Sequence, residues 1–423
     1  MTPEVWAGLV VFFGTYVLIA TERIHKTIAA MAGGTAMVLL GIVSQEEAFE
    51  HIDFNVIFLL AGMMILAGII RKTGVFGWMG VRAARFAGGD PYRILVVLCV
   101  ITAIASAFLD NVTTVVLIGP ITLFLAARLD MSPFPFIVAE ILASNIGGAA
   151  TLIGDPPNIL IGSAADIDFV TFAANMVPLA VVNLLLFLLA ARWLFRNHLT
   201  MDAAMRDSLL ALDERQMIAD PALLRKSVAV LGLTLIGFLV HGQLGYEPAT
   251  IALTGAVALM IVAREDPHEI LREVEWPTLF FFIGLFMLIA GVIEIGMIEA
   301  IASALISFTG GALDGGTYVI LWLSALLSGV VDNIPYTATM IPVVEEMAAP
   351  HDGGQVLWWA LAAGADLGGN LTIIGASANV ILASMAEREG HPISFGQFLR
   401  YAAPVTLGTI IVSSLYLWLR YLL

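Results

Sequence analysis

The chain has 423 residues, 60% of them hydrophobic and 13% charged, with a mean hydropathy of +0.95. Soluble domains carry roughly a quarter charged residues, so this composition excludes a soluble protein and, with apolar runs of about 17–25 residues recurring throughout, points to a polytopic membrane protein. A formal charge of −15 argues against a nucleic-acid partner, and the single cysteine, Cys99, excludes a disulfide framework.

In chain order, the first apolar run, Val5–Ala20, lacks a basic leader and a small-residue cleavage site and reads as a span. Spans are predicted near 5–21, 27–43, 54–70, 134–165, 169–191, 227–243, 248–263, 277–293, 356–383 and 402–419. Two shorter arms, 94–109 and 112–127, fall between the third and fourth, and two more, 317–331 and 334–349, between the eighth and ninth. An arm of ~16 residues covers ~24 Å as helix, less than a hydrocarbon core of ~30 Å. Each pair of arms, joined at a polar tip, therefore reads as a re-entrant hairpin, with two full spans as the alternative.

Basic residues test this layout. Arg23 and Lys26 fall in the first loop, five Lys or Arg lie between Arg71 and Arg93, and Arg128 follows the first hairpin. No Lys or Arg occurs from Glu273 to Glu387. Placing the basic loops in the cytoplasm puts both termini outside, the first hairpin entering from the cytoplasm and the second from outside. The expected domains are a first repeat, 1–194, a polar cytoplasmic linker, 195–226, and a second repeat, 227–423. The seven histidines lie in or beside loops, so no metal site is expected.

The halves repeat in sequence. Ser106-Ala-Phe-Leu-Asp110-Asn111 matches Ser328-Gly-Val-Val-Asp332-Asn333, and the run Ile146–Asn158 matches Leu367–Asn379. The predicted fold is an all-α integral membrane protein of about ten transmembrane helices plus two re-entrant helical hairpins, in two inverted-topology repeats with broken helices. That architecture binds solutes near mid-membrane, at the repeat interface.

Two constellations carry chemistry. At the tips, Asp110-Asn111-Val-Thr113-Thr114 and Asp332-Asn333-Ile-Pro-Tyr-Thr337 open helices, whose free N–H groups attract polar oxygens. The bland reading is helix capping, but an ionisable residue at membrane depth is costly and points to function. In the broken spans, Asn145-Ile-Gly147-Gly148 and Asp366-Leu-Gly-Gly-Asn370 are expected to unwind, with Thr151, Thr372, Ser377 and Asn379 supplying neutral donors and acceptors. A glycine-mediated packing kink is the competing reading. Asp110, Asp155, Asp332 and Asp366 form an acidic centre with no Lys or Arg in its motifs, suited to proton or cation binding. Burial and a helix N-terminus act on a carboxyl's proton affinity in opposite senses, as a loading and releasing group requires. Glu140, one turn before the break, is a weaker relay candidate.

These tips and breaks resemble the ion transporter superfamily, in its arsenite permease and sodium–proton antiporter branch, which includes arsenical-pump membrane proteins and P-protein-type permeases. The likeness covers essentially the whole chain. It implies alternating access around two hairpins and two broken helices, with Asn111, Thr113, Thr114, Asn145, Gly147, Gly148, Thr151, Asn333, Thr337, Asn370, Thr372, Ser377 and Asn379 binding substrate and the four aspartates coupling protons. The expected function is export of arsenite or antimonite across the cytoplasmic membrane driven by proton influx. The alternatives are a sodium–proton antiporter and an anion or carboxylate carrier, the latter disfavoured by the missing basic anchor. No enzyme activity, metal or cofactor is expected, since the motif of intramembrane aspartyl proteases is absent. The chain has no P-loop motif, so it runs on an ion gradient or with a partner arsenite-stimulated ATPase. By analogy with the superfamily, a homodimer in the lipid bilayer is expected.

Overall fold

A computed structural model describes residues 2–21, 23–199 and 214–423. Residues 200–213 of the predicted linker, 195–226, lie outside the described residues. Among the described residues the chain is helical throughout, with no strand.

The first half runs α1 (Pro3–Thr21), α2 (Lys26–Leu39), α3 (Gln45–Glu50), α4 (Phe54–Lys72), α5 (Val75–Phe86), α6 (Pro91–Leu109), α7 (Asn111–Arg128), α8 (Phe134–Gly148), α9 (Pro156–Ala164) and α10 (Phe169–Leu194). The second half runs α11 (Pro221–Leu244), α12 (Pro248–Ala263), α13 (Pro267–Leu271), α14 (Trp276–Glu294), α15 (Met297–Thr309), α16 (Leu313–Ser328), α17 (Asn333–Ala348), α18 (Gln355–Gly368), α19 (Ser377–Arg388) and α20 (Phe395–Leu417). Ten elements thus recur in order, and the first residues of α2 through α7 all reappear 222 positions on (26 and 248, 45 and 267, 54 and 276, 75 and 297, 91 and 313, 111 and 333). The starts are set by local chemistry. Side chains of Asp53, Asp90, Asp168, Asp220 and Asp266 accept from the first free N–H groups of their helices, and Pro91, Pro221 and Pro267 follow their caps.

Among the described residues, eight helices are long and apolar enough to cross a bilayer, or nine if the pair α15 and α16, bent by 120°, counts as one span. Six of the ten expected spans are among the eight. The stretches expected at 27–43 and 248–263 form helices of only 14 and 16 residues. Those at 134–165 and 356–383 are broken into α8 with α9 and α18 with α19. The two arms of the first hairpin, at 19 and 18 residues, are themselves long enough to count. Two short helices, α5 and α15, stand where span-length reading placed only loops; each is 12 or 13 residues long with a pronounced apolar stripe.

Large apolar side chains such as Leu189 and Ile261, each 70% exposed, make up the outer surface, as a lipid-facing wall requires. Inside, the halves interlock. Helix α2 packs on α14 and α12 on α4. At the first of these crossings a Cβ on Gly34 would lie 2.5 Å from the Gly284 carbonyl oxygen. At the second, a Cβ on Gly62 would lie 2.8 Å from the Ala252 backbone. Small residues are what allow such backbone approach between membrane helices.

Candidate functional site

The hairpins are fixed to the broken helices by a duplicated set of hydrogen bonds. Ser106 Oγ donates to the Ser144 carbonyl at 2.7 Å, and Ser328 Oγ to the Ala365 carbonyl at 2.5 Å. The Thr151 hydroxyl donates to the Ala107 carbonyl, and Thr372 Oγ1 to the Gly329 carbonyl at 2.7 Å. Asn158 Nδ2 reaches the carbonyls of Gly148 and Thr151 at 3.1 and 3.2 Å, and Asn379 Nδ2 those of Gly369 and Thr372 at 2.7 and 2.9 Å. These side chains satisfy backbone groups freed where the helices unwind. Thr151 and Thr372, expected to face a solute, point their hydroxyls at backbone instead.

The glycines act differently from expectation. Helix α8 continues through Gly147 and Gly148, and α18 through Gly368; the unwound stretches are Ala149–Asp155 and Gly369–Ala376. A Cβ on Gly147 would come within 2.3 Å of the Ala103 carbonyl oxygen, and one on Gly368 within 2.5 Å of Ala325 Cα. Their role is to let the hairpin arm touch the broken helix, which is the packing alternative.

At the centre, both tips converge on one carboxylate. The Asn111 amide donates to Asp155 Oδ2, and Asn333 Nδ2 to Asp155 Oδ1 at 3.3 Å. Asn111 Nδ2 also donates to Asn145 Oδ1 at 3.2 Å, and Asn145 Nδ2 donates across the repeat to Asn370 Oδ1 at 3.0 Å and Asn379 Oδ1 at 2.9 Å. Asp366, Asp110 and Asp332 are the charged neighbours of Asp155, so the structure does bring the four aspartates together. Asp366 is fully buried beside the Asn158 amide, and neither carboxyl oxygen makes a well-formed hydrogen bond. Asn111 Oδ1, Asn158 Oδ1, Thr114 Oγ1 and Thr337 Oγ1 are likewise buried and unpaired. The unfilled valences at the centre are therefore mainly oxygens, the donor set of a proton or a hard cation. Glu140 stands apart, taking a 2.5 Å bond from Thr122 Oγ1. His241 is buried in α11 and accepts from Phe169 N at 3.1 Å. Among the described residues no group of three His, Cys, Asp or Glu is placed to hold a metal ion.

The tips differ. Asp110 is the single residue between α6 and α7, held at φ 67° and ψ 159°, a region costly for any residue but glycine and found at functional sites. Its carboxyl accepts from Thr113 N at 2.8 Å and Thr113 Oγ1 at 2.6 Å. Asp332 is unstrained, at φ −44°, and accepts from Ile334 N at 3.1 Å, Ser377 Oγ at 2.6 Å and Lys26 Nζ at 3.0 Å. Lys26 corrects the sequence reading of an acidic centre without a basic partner. It opens α2, and its amine crosses to the second tip.

Both tips line a cavity of about 640 Å³, together with Lys26, Glu275, Leu60 and Met64. A second cavity of about 430 Å³ is lined by Asn55, Ile159 and Pro248, the repeat counterparts of Pro277, Val380 and Lys26. Asn55 opens α4, whose far end carries the Arg71–Glu273 ion pair beside the start of α14. Leu59 of α4 lines the second cavity and Leu60 and Met64 line the first, so the two cavities flank the same helix.

The citrate-transporter family CitMHS matches residues 16–364. The chain belongs to that family. This CitMHS member is a membrane transporter, not an enzyme. It is 45% identical to an uncharacterized transporter of Mycobacterium tuberculosis, with 98% of each chain covered. It is 33% identical to the P protein of Homo sapiens, covering 98% of this chain and 60% of that one. The expected kinship with P-protein permeases is therefore met, while the family description names citrate, not arsenite. The YdaH transporter of Alcanivorax borkumensis shares the fold, with a TM-score of 0.57 and 14% identity over 98% of this chain and 97% of that one.

Proposed function

We propose that the protein is a secondary transporter of the cytoplasmic membrane that couples proton influx to export of a small neutral or cationic solute, with arsenite and antimonite as the leading cargo. The observation that carries the coupling is Asp366. A carboxylate enclosed with no cation and no well-formed hydrogen bond among the described residues is costly in a low-dielectric interior, so the site is built to be filled by a positive charge and emptied again. Asp155, with its two amide donors, is the partner that tolerates charge. The cargo reading rests on the acid-rich cavity, where Asp110, Asp332 and Glu275 outnumber Lys26. Such a cavity repels a free polyanion, and arsenite at neutral pH is largely an uncharged trihydroxide suited to Asn and Thr partners. With the basic loops in the cytoplasm, the larger cavity opens inward.

A carboxylate carrier is the second reading. Lys26 supplies the basic anchor that the sequence seemed to lack, and the family description names citrate. The deciding experiment is uptake into everted membrane vesicles under an imposed pH gradient, with arsenite, citrate or sodium as probe. Gradient-driven arsenite uptake abolished by Asp366→Asn supports the proposal. Citrate uptake instead moves the cargo to the second reading, and collapse of the gradient by sodium alone makes the protein a sodium–proton antiporter. Uptake unaffected by Asp366→Asn overturns the coupling site.

A further inference from the structure

The two tips are copies, yet among the described residues only the second carries a cation of the protein's own. Lys26 Nζ sits 3.0 Å from Asp332 Oδ2 and 2.5 Å from Ser377 Oγ, and Ser377 Oγ donates to the same carboxylate oxygen at 2.6 Å. The ammonium also lies 5.2 Å above the Phe281 ring, a cation–π position. At the first tip, Pro248 is the repeat counterpart of Lys26 and Pro156 that of Ser377. Asp110 has no ion-pair partner among the described residues. The pair also joins elements far apart in the chain. Lys26 opens α2, which packs on α14, whereas Asp332 and Ser377 belong to the second hairpin and its broken helix. At 27% exposure the lysine side chain is reachable from the larger cavity, and Asp332 is 12% exposed. The other ionisable groups facing that cavity are His25, Glu275 and Asp110.

We infer that Lys26 is a tethered cation that discharges the transported proton from Asp332. This rests on the cation-coupled reading given above. A proton arriving on the Asp332 carboxyl displaces the ammonium; on the face where Lys26 waits, the ammonium returns to the carboxylate and the proton leaves to solvent. The solute-loaded carrier then returns with Asp332 relieved of the proton it has just delivered. Among the described residues the first tip has no such device, so Asp110 is left to the cargo. Without Lys26, Asp332 keeps its proton through the return leg, and one fewer proton is delivered per solute.

The test is coupling stoichiometry in proteoliposomes, read as static-head accumulation of arsenite, or of citrate if the wild type carries that, against imposed pH gradients. One proton per cycle is worth about a tenfold accumulation per pH unit. Lys26→Met should lower the accumulation about tenfold per pH unit relative to wild type, while Lys26→Arg keeps the wild-type slope. An unchanged or steeper slope in Lys26→Met overturns the inference while leaving coupled transport intact. A wild type without any slope instead sinks the coupled reading and this inference with it. Should Lys26→Met not transport, Lys26→Ala is assayed with n-propylammonium, which fits the space of the missing side chain, and with n-propanol as its neutral match. Restoration by the amine alone supports the tethered cation; restoration by neither, or by both, refutes it.

Discussion

The two halves agree where side chains hold backbone and disagree where side chains face the centre. Ser106 and Ser328, Thr151 and Thr372, and Asn158 and Asn379 make the same bonds to counterpart carbonyls. Asn145 stands opposite Asp366, Asp155 opposite Ala376, and Lys26 opposite Pro248. Duplication supplied a frame that tolerates unwound helix in a membrane, and the divergence of a few positions gave that frame a directional charge pattern. A symmetric pair of sites would bind alike from both faces. Among the described residues, this one has a carboxyl without a cation on the second broken helix, an amide-held carboxylate on the first, and a lysine at the second tip only.

The comparison can be broken most sharply at Asp366. Asp366→Asn should lower proton-coupled flux by about a hundredfold or more, equivalent to roughly 2.7 kcal/mol of lost coupling, with the protein still inserted. The exchanged variant Asn145→Asp should not restore it, and recovery in the double variant would show that the halves are interchangeable after all. Next come the packing glycines. Gly147→Leu and Gly368→Leu should both abolish transport and lower the melting temperature, because overpacking costs about 1–3 kcal/mol and often more. Normal flux in either would show that the hairpin is not held against that helix. Asn145→Ala should weaken solute affinity by about five- to a hundredfold, the range for stranding buried polar partners at roughly 1–3 kcal/mol. A titration of flux against solute concentration reads this directly, and an unchanged half-saturation value removes the amide from the site. Smallest are Thr151→Ala and Thr372→Ala, each expected to cost about 1 kcal/mol of stability with coupling retained. Unequal losses in thermal unfolding would mean that the two frames are less alike than their bonds.

Much of this was legible in the sequence because each motif occurs twice. The Ser-to-Asn tip and the Gly-Gly break located both hairpins and both broken helices, and the aspartates do meet. What sequence did not show is instructive. Lys26 lies far from Asp332 along the chain and outside any motif, so only the folded crossing of α2 reveals the pair. The glycines were visible, but the Ala103 and Ala325 backbones that need them were not. Thr151 and Thr372 read as solute ligands because the hydroxyl type is evident from sequence and its direction is not. Helices α5 and α15 escaped a search for runs of spanning length, although their apolar stripes follow helical periodicity.

The glycine crossings bear on how such a chain is made. Gly34 in the second helix has its partner in Gly284, and Gly62 in the fourth meets Ala252. During synthesis the early helices must therefore wait in the bilayer with a notched face open until the ribosome has delivered the second half. Neither repeat can finish assembling by itself. A chain arrested before Trp276 would present its notch to lipid or to quality control, so a truncation that spares every residue of the first hairpin would still leave that hairpin without a finished support.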